Sequence, residues 1–102
     1  MKIPKQVTIL GKTFKVKQVS AQEIEKKYNG RAYGIMDFSS KLIYIDKSLN
    51  PEDMLSTYLH ECCHVVTYIV GLNQVIPGDL MEILCESMAN GIMDVLNTKA
   101  SS

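Results

Sequence analysis

The segment His60-Glu61-Cys62-Cys63-His64 carries the residue types most able to do chemistry in this chain, and it contains both of its histidines. On a helix, side chains four positions apart lie on one face, so both imidazoles could bind one Zn²⁺. A glutamate between them would lie beside the metal, where it could take a proton from a metal-bound water. The H-E-x-x-H spacing therefore predicts two zinc ligands, His60 and His64, and a general base, Glu61.

A catalytic zinc site needs at least one further protein ligand, which here must be a carboxylate or a thiolate. The last predicted helix carries Glu82 and Glu86, 18 and 22 residues after His64 and one helical turn apart. Either glutamate could bind the metal, while the other accepts the second N–H of a ligand histidine. Cys85 is a weaker thiolate candidate on the same helix. Position alone does not choose between the two glutamates.

Two other groups near the motif have an ordinary structural interpretation. Cys62 and Cys63 point away from the line of the histidines, and adjacent helical cysteines cannot readily form a disulfide. We expect them to be small, buried apolar side chains. Tyr68, one turn beyond His64, could donate to the oxyanion of a substrate. Packing as a buried aromatic is the more common role for such a residue.

Alternating apolar residues predict four strands in two consecutive pairs, 7–10 with 13–19 and 33–38 with 41–46. Gly11-Lys12 is expected to form the first turn, and Ser39-Ser40 the second. The strand Leu42–Asp46 has apolar side chains on both faces. We therefore expect a packed layer on one side of it and a site on the other, with the strand available to pair with an extended substrate.

Three helices are predicted from capping residues and apolar periodicity: residues 21–28, 51–70 and 80–97. The first follows a capping box at Ser20 and should bury Ile24 and Tyr28. The second, which holds the histidines, should begin with Asn50 as N-cap and end at Gly71. Asp79 is expected to cap the third helix, and residues 98–102 are expected to form a frayed tail.

These elements predict one α+β domain over residues 1–102, with a small antiparallel or mixed sheet packed against the histidine helix and the C-terminal helix. The formal net charge of zero argues against a nucleic-acid-binding protein. No secretory leader or apolar run of about 20 residues is evident, so we expect a cytoplasmic protein that does not bind membranes. Three cysteines without an export signal suggest free thiols. The oligomeric state is left open.

The chain resembles the small phage- and prophage-encoded zinc metallopeptidase-like proteins related to the ImmA/IrrE type, within the gluzincins. The resemblance follows the order of the chain through five segments: Ile9–Val16, Gly34–Phe38, Lys41–Asp46, Leu59–His64 and Glu82–Ile92. It implies a minimal zincin-like fold, one Zn²⁺ and a His, His, Glu site in the cytoplasm of a bacterial host. It favours Glu82 as the third ligand, although Glu86-Ser87-Met88-Ala89-Asn90 resembles the E-x-x-A-N pattern that would assign Glu86.

Two functions follow as hypotheses. The first is a zinc metalloendopeptidase that hydrolyses a protein or peptide substrate through a zinc-bound water activated by Glu61. The alternative is a non-catalytic, metal-stabilised module that binds a protein partner in phage or host regulation. Many peptidases with this motif have a second lobe that walls the cleft. A chain of 102 residues leaves no room for one, so we expect a shallow cleft or one completed by a partner.

Overall fold

The computed structural model describes residues 2–98 and has an α+β fold, as the sequence predicts. The elements in chain order are β1 (Gln6–Ile9), β2 (Lys12–Val19), α1 (Ala21–Tyr28), β3 (Gly34–Asp37), β4 (Leu42–Asp46), α2 (Pro51–Val70), a short 3₁₀ helix (Leu72–Gln74) and α3 (Gly78–Asn97). Most of the predicted frayed tail, residues 99–102, lies outside the described residues.

The turn between β1 and β2 is one residue earlier than predicted. Ile9 pairs directly with Lys12, so Leu10 and Gly11 form the two-residue loop. Both have positive φ, at 48° and 84°. This is the combination of a type I′ turn, which matches the right-handed twist of the two strands. Gly11 therefore occupies the second central position of the turn, and the predicted Gly11-Lys12 turn is wrong.

The sheet is mixed, with strand order β1-β2-β4-β3. The β1–β2 and β3–β4 pairs are antiparallel, whereas β2 and β4 are parallel. Because β4 is paired on both sides, its backbone groups cannot bind an added strand. The prediction that Leu42–Asp46 could pair with a substrate is therefore wrong. The exposed edge on that side of the sheet belongs to β3.

The hydrophobic core lies between one face of the sheet and α2. Side chains alternate along a strand, so Ile43 and Ile45 point to this face while Tyr44 points to the other. The buried side chains that form the core are Phe14, Val16, Ile43, Ile45, Leu55, Tyr58, Val65 and Met93. Of these, Met93 comes from α3, which otherwise packs against α2 rather than the sheet. Helix α2, which carries both histidines, therefore packs against the sheet on one side and against α3 on another.

Helix α1 contacts β3 and β4. Ser20 caps it as predicted, since its hydroxyl accepts a hydrogen bond from the backbone N–H of Glu23 at 3.2 Å. It ends at Asn29, which adopts the left-handed conformation. Ile24 is fully buried, but Tyr28 is 59% exposed, so the predicted burial of Tyr28 is wrong. Tyr28 lies in the last turn of this short helix and borders an open cleft instead of the sheet.

Helix α2 has the predicted boundaries. The Asn50 side chain accepts a hydrogen bond from the backbone N–H of Asp53 at 2.8 Å, and Pro51 occupies the first helical position. The helix ends at Gly71, whose φ of 83° is the left-handed conformation that glycine adopts without steric strain. These local signals determine where the helix that carries the histidines begins and ends.

Helix α3 begins at Gly78, two residues before the predicted start, and no side chain caps it. Asp79 therefore lies inside the first turn, where its negative charge favours the helix dipole, and the prediction that it is the N-cap is wrong. Thr98 ends the helix, with its hydroxyl donating to the carbonyl of Asp94. No helix within residues 2–98 combines the length and apolar character needed to cross a bilayer.

Candidate metal centre

His60 and His64 lie on the same face of α2 and point their Nε2 atoms at each other, 3.1 Å apart. Glu82 of α3 reaches both of them. One of its carboxylate oxygens lies 3.1 Å from Nε2 of His60, and the other lies 2.9 Å from Nε2 of His64. The three side chains form a candidate metal-binding triad, with one ligand atom from each within 4.8 Å of the others.

These distances fit a small divalent cation. Two ligand atoms of a tetrahedral zinc site, each about 2.0–2.1 Å from the metal, are about 3.3 Å apart. The nitrogens and oxygens of the triad are separated by 2.9 to 3.1 Å. Burial lowers the pKa of His64, although the charge of Glu82 opposes this shift. The neutral imidazole, which is the form that binds metals, is therefore favoured at His64.

The second ring nitrogen of His60 contacts the other glutamate. Nδ1 of His60 lies 2.8 Å from a carboxylate oxygen of Glu86. A carboxylate beside Nδ1 favours the imidazole tautomer protonated at Nδ1, which leaves the Nε2 lone pair of His60 directed into the triad. The structure therefore brings both candidate glutamates to the histidines but gives them different positions. The Glu82 carboxylate faces Nε2 of both rings, whereas the Glu86 carboxylate lies beside Nδ1, on the opposite edge of the His60 ring.

A further pair of polar side chains, neither of which had a predicted role in the site, extends this contact. The amide nitrogen of Asn90 donates to Glu86 at 3.3 Å, and the amide oxygen accepts from the hydroxyl of Ser56 at 3.2 Å. Ser56 belongs to α2, so this bond links the two helices. The four-residue spacing of Glu86 and Asn90 was a visible signal, because such residues are neighbours on a helix.

The site depends on the antiparallel packing of α2 and α3. Along α2 the contacting residues run Ser56, His60, His64, whereas their partners along α3 run in the reverse order, Asn90, Glu86, Glu82. Next to Glu82, Glu86 and Asn90, helix α3 carries four buried side chains, Met81, Cys85, Ala89 and Met93. Ala89 and Cys85 are small and almost completely buried, which lets the two helices approach closely.

Glu61 is buried beside the triad, with 8% of its surface exposed. Burial raises its pKa to about 7; the nearby His60 opposes this shift and Glu82 adds to it. No hydrogen bond from residues 2–98 contributes to the pKa of this carboxyl group. A buried carboxyl group without a donor, bordering a cleft, can exchange a proton near neutral pH.

Gly34 of β3 allows the sheet to approach α2 beside Glu61. A Cβ atom at this position would lie 2.7 Å from Cγ2 of Thr57, 3.1 Å from the carbonyl oxygen of Tyr44 and 3.3 Å from Cγ of Glu61. Only glycine fits without a shift of its neighbours. This role of Gly34 is not visible in the sequence, because the close approach depends on how β3 packs on a helix far along the chain.

A cleft of about 490 Å³ opens over the triad between α2, α3 and the β3 side of the sheet. The residues that line it are Tyr28, Ala32, Tyr33, Gly34, Ile35, Asp53, Ser56, Thr57, His60, Glu61, His64, Glu82 and Glu86. The Glu82 side chain is 62% exposed, whereas both histidines are 14% exposed. The cleft is therefore open to solvent on the α3 side.

The remaining candidates lie outside the triad. Cys85 is fully buried, and its burial raises its pKa to about 12, so it is a protonated thiol packed between helices. Cys62 and Cys63 are only partly buried, and both are free. The ring of Tyr68 stacks on Phe38 at 5.5 Å and does not line the cleft. Tyr68 therefore packs by one face of its ring only: it is 45% exposed, so the prediction of a buried aromatic is wrong.

Comparison of the chain with known protein families, with curated proteins and with solved structures finds no match.

Proposed function

We propose that the protein is a zinc-dependent metallopeptidase of the zincin type, which hydrolyses peptide bonds in a protein or peptide substrate. The observation that carries the proposal is the convergence of His60, His64 and Glu82 beside the buried carboxyl group of Glu61. A zinc ion held by these three residues would polarise a substrate carbonyl and lower the pKa of water. The resemblance to the ImmA/IrrE group supports the same function.

Glu61 is the residue we assign as general base. It is buried beside the triad and lines the cleft, where a carboxylate can accept a proton from water and later return it, as general acid–base catalysis requires. The carboxylate takes a proton from the attacking water while the water oxygen bonds to the carbonyl carbon. Glu61 then passes this proton to the amide nitrogen as the C–N bond breaks, which releases the two peptide fragments.

The other residues of the site orient these groups. The carboxylate of Glu86 lies 2.8 Å from Nδ1 of His60, and its charge would stabilise the ring with Nε2 directed at Glu82. The edge strand β3 borders the cleft through Gly34 and Ile35. An extended peptide could pair with this edge through backbone hydrogen bonds, with its scissile carbonyl over the triad. In this proposal β3 has the substrate-pairing role predicted from the sequence for β4.

The proposal is tested with protein purified without a histidine tag. We expect about one zinc per chain by elemental analysis, and cleavage of an unstructured protein substrate in a zinc-dependent manner. Glu61→Gln should retain the zinc and lower the cleavage rate by roughly 10²–10⁴-fold. Fully zinc-loaded protein that cleaves no faster than Glu61→Gln would contradict the peptidase function.

A non-catalytic protein-binding module remains the second candidate, because α3 exposes a row of apolar side chains. Leu80, Leu84, Met88 and Val95 are each between 37% and 74% exposed, and such a surface is typical of a protein contact. In this alternative the metal would stabilise the fold. Glu61→Gln separates the two functions, since it should leave a binding module fully active in the host cell.

A further inference from the structure

The charges of this protein are segregated along the chain, which the net charge of zero conceals. Residues 2–47 contain ten lysines and arginines and four acidic residues. Residues 48–98 contain no lysine or arginine and seven acidic residues, Glu52, Asp53, Glu61, Asp79, Glu82, Glu86 and Asp94. The half that forms α2 and α3 is therefore strongly negative, and its field extends over the cleft.

The cleft concentrates this negative charge. Four carboxyl groups line it, those of Asp53, Glu61, Glu82 and Glu86, and no lysine or arginine is among its lining residues. A divalent cation in the triad would compensate only part of this charge. Asp53 contacts only the neutral side chain of Asn50, and Glu86 contacts His60 and Asn90. Neither carboxylate has a lysine or arginine partner within residues 2–98.

Two further features of the cleft favour a cationic ligand. Tyr28 and Tyr33, which are 59% and 67% exposed as residues, line the cleft, and aromatic faces attract ammonium and guanidinium groups. Glu61 is more than nine-tenths buried and borders the same space. The cleft is thus a formed concave site with negative walls and an aromatic rim, whereas the other acidic residues of α2 and α3, Glu52, Asp79 and Asp94, are exposed.

We propose that the cleft selects peptides with lysine or arginine side chains close to the scissile bond, with Asp53 as a specificity-determining residue. This inference rests on the proposed function, whose substrate class it narrows. The basic side chain would place its charge near Asp53 and its aliphatic part against the rings of Tyr28 and Tyr33. A peptide with acidic residues at the same positions would be repelled by the same walls.

The test measures binding separately from cleavage. Zinc-loaded Glu61→Gln protein is titrated into fluorescent peptides that are identical except for paired Lys, Gln or Glu residues at the centre. We expect the Lys peptide to bind about tenfold more tightly than the Gln peptide at low salt, and the Glu peptide to bind more weakly still. The preference should shrink at about 0.5 M salt, where charges are screened.

Two variants locate the preference within the cleft. Asp53→Asn should reduce the Lys-over-Gln ratio several-fold. Asp94→Asn removes the same charge from the exposed outer part of α3 and should leave the ratio unchanged. Tyr33→Leu provides a second measurement and should weaken binding of the Lys peptide more than that of the Gln peptide. Equal affinities for the three peptides, or equal losses in Asp53→Asn and Asp94→Asn, would overturn the inference.

Cleavage by the wild-type protein distinguishes this inference from the proposed function. Selective binding of the Lys peptide without cleavage of any peptide would refute the peptidase function and leave the charge preference intact. Cleavage of the Lys and Gln peptides with equal kcat/KM would support the peptidase function and refute the preference.

Discussion

The imidazole of His60 lies between two glutamates of α3, with Glu86 2.8 Å from Nδ1 and Glu82 3.1 Å from Nε2. The two glutamates are one helical turn apart, so they approach opposite edges of the same ring. Only Glu82 also reaches Nε2 of His64, at 2.9 Å. This geometry assigns different tasks to two residues of the same type.

Substitution of the two glutamates should weaken zinc binding to different degrees. Glu82→Gln removes a ligand and should abolish stoichiometric binding at micromolar zinc. Glu86→Gln removes only the partner of Nδ1 and should weaken binding by roughly 10–100-fold while keeping one site. Competition with a chromophoric chelator measures both affinities, with Asp94→Asn as the charge control. The opposite ranking would assign Glu86 as the ligand.

The hydrogen bond between Ser56 and Asn90 should support the position of Glu86. We expect Ser56→Ala and Asn90→Ala each to lower stability by about 0.5–1.5 kcal/mol, and the double variant to lower it by less than the sum. Both single variants should also weaken zinc binding slightly, since Asn90 holds Glu86. Urea unfolding and chelator competition measure these effects. Strictly additive losses would indicate that the two side chains act independently.

Replacement of Gly34 should test the close approach of β3 to α2. Gly34→Ala should destabilise the fold by about 1–3 kcal/mol, because its new methyl group would overlap Cγ2 of Thr57. Thr57→Ser removes that methyl group and should restore part of the loss in the double variant. Gly91→Ala is the matched control, since a Cβ at that position meets no atom within 4 Å. It should be neutral or stabilise by up to about 1 kcal/mol.

Asp37 should make the β3–β4 loop sensitive to acid. Hydrogen bonds from the backbone N–H of Ser40 and the hydroxyl of Ser39 lower its pKa below the ordinary value of 3.8. Because the folded-state pKa is the lower one, the ionised carboxylate stabilises the fold above the unfolded pKa. That contribution disappears as the pH falls through the folded pKa. The free energy of unfolding of the wild type should therefore be larger than that of Asp37→Asn at neutral pH. The difference should shrink in acid, and denaturant unfolding at several pH values can measure it.

A chelator should destabilise the zinc-loaded protein. A ligand at 100 times its Kd adds about 2.7 kcal/mol to folding stability, which raises the Tm of a domain of this size by roughly 10–20 °C. In His60→Ala and His64→Ala, the chelator should no longer lower the Tm. If both variants kept the metal occupancy and the chelator response of wild type, the triad would not be the metal site.

Local signals in the sequence determined the helices and the pairing of His60 with His64. Caps such as Asn50 and Gly71, and a four-residue spacing on a helix, depend only on neighbouring residues and backbone geometry. For the same reason the strands and the α+β class were predictable from alternation of apolar residues. The prediction of the β1–β2 turn was wrong by one residue, because glycine can occupy either the first or the second central position of a two-residue turn. The structure places Gly11 second, after Leu10.

Tertiary structure decided which groups meet across the chain. The choice between Glu82 and Glu86 depends on the antiparallel register of α3 against α2, and neither helix contains that register in its own sequence. The central position of β4 and the free edge of β3 depend on a parallel pairing of β2 with β4, strands that are separated in sequence. Contacts of this kind are set by packing between distant segments, which periodicity and capping residues do not encode.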